Sequence, residues 1–228
     1  MTSKTKGIVL HYIKYQESSI IVRIFTEEYG LVSFIVNGIR SSKSKRSIGY
    51  FQTFSLLDLV VYMKEGREIQ RLSEYKFLVS TPRLFQDIRK STIIMFLSEF
   101  LGKALHQEHG NQHQLFDFLF QMTLLLENMT VGIENFHLHF LIRLSSHIGI
   151  EIKDGEMLVH SMDRDLSEKE KTAINLITLI AKSDVDEIID CSGTDRLNTL
   201  KLIIEYYQHH GAQIGEIKSL KVLHQVFS

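Results

Sequence analysis

The chain has 228 residues but one cysteine, one proline and no tryptophan. A lone Cys191 excludes an internal disulfide framework and any multi-cysteine zinc site, and it fits a reducing compartment. No run of 18 apolar residues occurs, so no membrane span is expected. Met1 to Lys6 lead directly into a strand-like segment without a signal peptide, so a cytoplasmic protein is expected. The phosphate-loop, dinucleotide, zinc-protease and nucleophile-elbow motifs are all missing, and no internal repeat or low-complexity tract is present. No catalytic residue, cofactor, metal or small-molecule substrate is therefore assigned. A large excess of either sign of charge is missing too: the formal net charge is −1.

That near-zero total hides an uneven distribution. Residues 1–80 carry 12 Lys and Arg against 7 Asp and Glu, whereas residues 81–228 carry 14 against 20. The basic excess is densest in Ile39-Arg40-Ser41-Ser42-Lys43-Ser44-Lys45-Arg46-Ser47, which holds four basic residues and no acid. A basic, serine-rich loop between strand-like segments is a poor core element and a good phosphate contact. Lys and Arg neutralise backbone charge and release counterions, and Ser hydroxyls hydrogen-bond phosphate oxygens. Arg40, Lys43, Lys45 and Arg46 are accordingly the leading DNA-binding candidates.

Residues 6–79 alternate in the period of strands: 7–15, 18–26, 31–38, 54–64 and 69–79, with turns at Glu27–Gly30 and Glu65–Arg67. Five strands in about 75 residues, with a long loop after the third, fit a five-stranded Greek-key barrel of the OB type; another small barrel is the alternative. Thr81-Pro82 then suits a helix start, and the pattern turns to a period of 3.6. Helices are expected around residues 93–105, 115–126, 134–148, 167–182, 195–210 and 217–227, with 150–166 irregular. The expected fold is α+β: an N-terminal five-stranded OB-fold β-barrel over residues 1–80, followed by an all-helical domain over 81–228.

Within the barrel, Arg23 interrupts an apolar strand, and Lys64, Arg67 and Arg71 flank the last hairpin; all four extend the candidate basic surface. Tyr29 at a hairpin tip and Tyr50 beside the basic loop are the rings best placed for exposure and base stacking. His106, His109 and His113 are spaced for one helix face, but Gly110-Asn111 interrupts them, and they read as a polar connection rather than a metal site. His137 and His139 fall on different sides of a helix. Cys191 reads as an inert, partly buried thiol. The 11 acids against 5 bases of residues 151–190 read as a solvated surface. Asp163 with Asp165 and Asp184 with Asp186 are the pairs a metal-dependent nuclease would need, and each reads better as turn or cap chemistry. Two rivals to DNA binding without chemistry remain: an adaptor whose barrel binds protein, and such a nuclease.

Several of these segments resemble a known family. Lys6-Gly-Ile-Val-Leu10, Glu17-Ser18, Phe25 through Leu31, and Asn37-Gly38-Ile39-Arg40 with Ser44 following are similar to the amino-terminal barrel of the bacterial recombination mediators of the RecO family. Tyr206 through His210 and Ile217 through Leu223, with its Lys218-Ser219 pair, resemble that family's closing segment. The chain departs from many members in one respect. Their four-cysteine zinc-binding insertion follows a pair matched here by Ile148-Gly149, and Ile150 to Asp190 contains no cysteine. The resemblance implies binding of single- and double-stranded DNA, strand annealing, and cooperation with RecR in loading RecA onto strands coated by single-stranded DNA-binding protein (SSB). It also implies that the helical domain binds the acidic, phenylalanine-ended SSB tail, for which Arg143, Lys218 and Lys221 are the candidate cations.

Overall fold

The computed structural model describes residues 2–40, 48–105, 112–162 and 168–228. Five strands, β1 (Thr2–Tyr15), β2 (Ser19–Thr26), β3 (Gly30–Val36), β4 (Leu56–Tyr62) and β5 (Ile69–Val79), close a barrel in the order β1-β2-β3-β5-β4. All neighbours are antiparallel except β3 and β5, whose parallel pairing closes the Greek key. β1 begins at Thr2 rather than at Gly7, because residues 2–8 pair with β4 while 7–15 pair with β2. One strand serves two neighbours by bending at a register shift between Val9 and His11. Gly7 sits at that crossover, where a Cβ would lie 2.6 Å from both Ile24 and Leu59.

The barrel interior follows from the two-residue period. Ile20, Val22 and Ile24 of β2, and Phe34 and Val36 of β3, are fully buried. Leu57, Leu59 and Val61 of β4 complete the same cluster. Gly30, at φ +61, makes the tight β2–β3 turn. A 3-10 turn, Ile48–Phe51, turns Phe51 into the core.

The helices are α1 (Arg83–Gln86), α2 (Ile88–Ala104), α3 (Gln112–Asn128), α4 (Phe136–His147), α5 (Gly155–Ser161), α6 (Glu168–Lys182), α7 (Gly193–His209) and α8 (Ser219–Val226). α5 replaces part of the irregular segment expected at 150–166. Asp154, read as a turn residue, is its N-cap and accepts a 2.7 Å hydrogen bond from Met157 N. The start of α1 is held by Glu127, whose two carboxylate oxygens accept from Arg83 N and Leu84 N, not by a Thr81 side chain. Ser192 caps α7 by accepting from Asp195 N. The contacts group the chain into two compact units, residues 1–82 with 105–123, and 83–104 with 124–228. No helix among the described residues is long and apolar enough to cross a membrane.

Candidate nucleic-acid interface

Alternation along β2 and β3 turns Ile21, Arg23, Ser33 and Ile35 away from the buried core. The register places Arg23 opposite His11 on one side and Ser33 on the other. Ile35 pairs in turn with Arg71 of β5, which is exposed. Arg23 and Arg71 thus stand on one outer sheet surface, although 48 positions apart. Arg23 is half-buried, and loss of water lowers its pKa. Burial, and then the Arg23 charge, also lower the pKa of His11.

The two turns beside this surface bring further cations. Past the end of β3 the chain folds back on the β1–β2 turn: Arg40 N donates to Ser18 O at 2.9 Å, and its guanidinium donates to Gln16 O at 3.3 Å. In the β4–β5 hairpin the buried Gln70 amide accepts from Lys64 N and donates to the carbonyls of Lys64 and Arg67. This clamp fixes the loop backbone and leaves the Lys64 and Arg67 side chains exposed. Among the described residues, no carboxylate lies within 4.0 Å of the side-chain nitrogens of Arg40, Lys64, Arg67 or Arg71. Glu17, Glu65 and Glu68 occupy the same turns and moderate the local field without pairing these four. Lys43, Lys45 and Arg46 lie outside the described residues.

The two tyrosines are held by contacts of their own. Tyr29 precedes β3, about 20 Å of strand from the end that leads to Arg40. Its ring packs on the barrel core and its hydroxyl shares a 2.6 Å hydrogen bond with Ser3 Oγ. Tyr50 stacks on Phe77 with centroids 4.4 Å apart, six residues along β5 from Arg71. Tyr29 thus lies towards the end of β4, since Ser3 pairs with Val61, and Tyr50 lies towards the far end of β5. Ile13, Tyr15, Ile21 and Ile35 are apolar side chains on the Arg23–Arg71 surface, which charge does not mark. The signal was the run Ile20-Ile21-Val22, apolar on both sides of a strand.

The second candidate site lies in the helical unit. α7 and α8 border a groove of about 780 Å³ whose lining includes Leu197, Ile204, Ile217 and Leu220, with Lys201, Lys218 and Lys221. Glu205 and Glu216 also line it. The Glu99 carboxylate fixes the start of α8. It accepts from Lys218 N (3.0 Å), Ser219 N (2.9 Å) and Ser219 Oγ (2.7 Å), and pairs with Lys103. Burial raises the Glu99 pKa, but these hydrogen bonds together outweigh it and hold the carboxyl at about 2. Arg143 is not part of this groove: its guanidinium donates to Ser183 O at 2.8 Å.

The remaining titratable candidates form no catalytic constellation among the described residues. No three His, Cys, Asp or Glu side chains there converge as metal ligands. His106, His109, Asp163 and Asp165 lie outside the described residues, and His113 sits 3.9 Å from Glu28. Cys191 is half-buried beside Asn135, and burial raises its pKa. Arg196, buried, ties Asn135 Oδ1, Phe227 O and Cys191 O together.

An OB-fold barrel followed by helices, with cations bordering one outer sheet surface, defines a two-domain OB-fold protein. The family models for the recombination protein O N terminal and C terminal match residues 1–81 and 85–153. Proteins named DNA repair protein RecO from Flavobacterium psychrophilum, Azobacteroides pseudotrichonymphae and Flavobacterium johnsoniae are 34%, 30% and 31% identical to the chain. Each of these alignments covers the whole of both sequences. The chain belongs to the RecO family.

Proposed function

We propose that this protein is a DNA repair and homologous-recombination mediator that works without chemistry of its own. Residues 1–80 form its DNA-binding domain and residues 81–228 its helical domain. The barrel holds single- and double-stranded DNA through Arg40, Lys43, Lys45 and Arg46, helped by Arg23, Lys64, Arg67 and Arg71. The observation that carries this reading is the convergence of Arg23, Arg40, Lys64, Arg67 and Arg71, far apart in sequence, around one surface of the barrel. Backbone phosphates are the ligand that such a ring recognises without sequence preference.

The protein anneals complementary strands and, with RecR, helps load RecA onto SSB-coated DNA in the cytoplasm. The α7–α8 groove is the place for the SSB tail. Its apolar lining suits a terminal phenylalanine, and Lys218, Lys221 and Lys201 suit the acidic residues before it. Holding SSB at one site and DNA at another raises the local concentration of the strand to be paired.

Titrating the full chain with a labelled oligonucleotide at two salt concentrations tests this reading. Affinity should fall steeply with salt, by roughly 0.7–0.9 in log–log slope per phosphate contacted. Salt-insensitive or absent binding favours the adaptor reading, in which the barrel binds protein. Cleavage of labelled DNA in Mg²⁺ or Mn²⁺ contradicts the non-enzymatic assignment.

A further inference from the structure

The α7–α8 groove leads to a seat that a side chain of the protein already fills. Phe227, at the end of α8, is 8% exposed, and its ring stacks on the His137 ring with centroids 6.1 Å apart. Its carbonyl accepts from Arg196 Nη1 at 2.7 Å. Gly193 lets this segment lie directly on the first turn of α7: a Cβ there would stand 2.7 Å from Phe227 O and 2.6 Å from Ser228 Cα. Leu197, Leu220 and His224 line both the seat and the groove. The space left beside the ring is about 10 Å³, room for one water at most. Two polar side chains of the seat are short of the partners their burial calls for. Arg196 is 8% exposed, and its guanidinium donates to the neutral oxygens of Asn135, Cys191 and Phe227. Among the described residues no carboxylate lies within 4.0 Å of it, although a buried cation ordinarily has an anion against it. His137 is 1% exposed, and its Nδ1 has no hydrogen-bond partner among the described residues.

We propose that Phe227 is an internal competitor: it occupies, in the free protein, the seat that the last residue of a phenylalanine-ended acidic peptide takes when it binds. The inference rests on the reading of the α7–α8 groove above and adds how that site is regulated. The peptide's terminal ring replaces the Phe227 ring. Its α-carboxylate supplies the anion that Arg196 is missing and an acceptor for His137 Nδ1 in its N–H tautomer. Phe227 O gives Arg196 a neutral partner, and a carboxylate makes the stronger, charge-assisted bond. Two rings cannot share a space with room for one water, so entry requires Phe227 to leave. Its departure opens the last turn of α8, where Phe227 N donates to Leu223 O and His224 O. The peptide's apparent affinity is therefore reduced by the fraction of molecules in which the seat is open.

The absence of tryptophan from the chain provides a reporter. Phe227→Trp places a single indole in the seat of the full-length protein. Titration with a short aspartate-rich peptide ending in phenylalanine should move its emission to the red as the indole passes into water. Independently, Phe227→Ala empties the seat. By fluorescence anisotropy this variant should bind a labelled form of the same peptide about tenfold more tightly than the unaltered protein. If the alanine variant fails to fold, the indole shift alone decides. An indole that stays buried while anisotropy shows the peptide bound overturns the inference and leaves the groove reading standing. A folded Phe227→Ala variant that binds no more tightly does the same. Failure of both the unaltered protein and the Phe227→Ala variant to bind the peptide overturns the groove reading and this inference with it.

Discussion

Glu99 illustrates how one side chain can hold an element in place. It contributes a carboxylate to the start of α8, where three donors from Lys218 and Ser219 converge. Its folded pKa of about 2 lies below the ordinary 4.5, so its contribution is complete above pH 4.5 and is lost as pH falls towards 2. Glu99→Gln should therefore cost about 2–3 kcal/mol at neutral pH in denaturant unfolding. The gap to the unaltered protein should close between pH 4.5 and 2; a gap independent of pH would contradict the assigned role. None of this was legible in the sequence, because Glu99 and Ser219 are 120 positions apart. The Lys218-Ser219 pair was visible as a resemblance, and its physical content is the Ser219 hydroxyl and amide that Glu99 receives. Glu127 at α1 is a second case of capping from a distance, which local pattern cannot reveal.

At the scale of elements, periodicity carried most of the information. All five strands and the long helices α2, α3, α4, α6 and α7 appear where two- and 3.6-residue patterns place them. The short α5 escaped because seven residues hold too few turns to display a period. The Greek-key order was legible only as a fold type, since the β3–β5 pairing closes over a distance that no local pattern records. The candidate site was legible in part. Charge marks Arg40, Lys64, Arg67 and Arg71; the register sets Arg71 beside Ile35 and thence Arg23, and turn hydrogen bonds fix the backbone at the other three. Charge could not reveal the apolar side chains among them, nor that Tyr29 bonds Ser3 and Tyr50 stacks on Phe77. In the α7–α8 groove, Lys218 and Lys221 line the same cavity, whereas Arg143 is engaged with Ser183 O. Lys218→Glu with Lys221→Glu should weaken binding of a labelled acidic peptide ending in phenylalanine by about tenfold or more, because rim attraction turns into repulsion. Fluorescence anisotropy measures it, and an unchanged affinity would move the peptide site away from this groove.

For the molecule as a whole, net charge was a poor guide and its division a good one. The barrel residues carry the basic excess and the helical residues the acidic one. Acid should also unfold the helical unit through two histidines. His137 is buried between Phe96 and Phe227. Burial, and then the charges of Arg196 and His139, lower its pKa to about 3. Burial, and then Arg143, lower that of His139 to about 4. Below the ordinary value of 6.5 the unfolded chain takes up protons that the folded one refuses, so stability falls with pH from about 6.5 to 4. Denaturant midpoints across that range should fall, and His137→Phe should make the fall shallower; an identical slope in the variant would remove His137 from the account.

In the proposed function the grip on the DNA backbone is electrostatic, made by cations that the barrel gathers from distant parts of the sequence. Its most direct test is the salt dependence of oligonucleotide binding by the full chain carrying Arg40→Ala, Lys64→Ala, Arg67→Ala and Arg71→Ala. If each side chain meets one phosphate, the log–log slope should become shallower by about 3 units relative to the unaltered protein. A variant that folds normally and keeps the original slope would show that the barrel does not hold DNA through these residues.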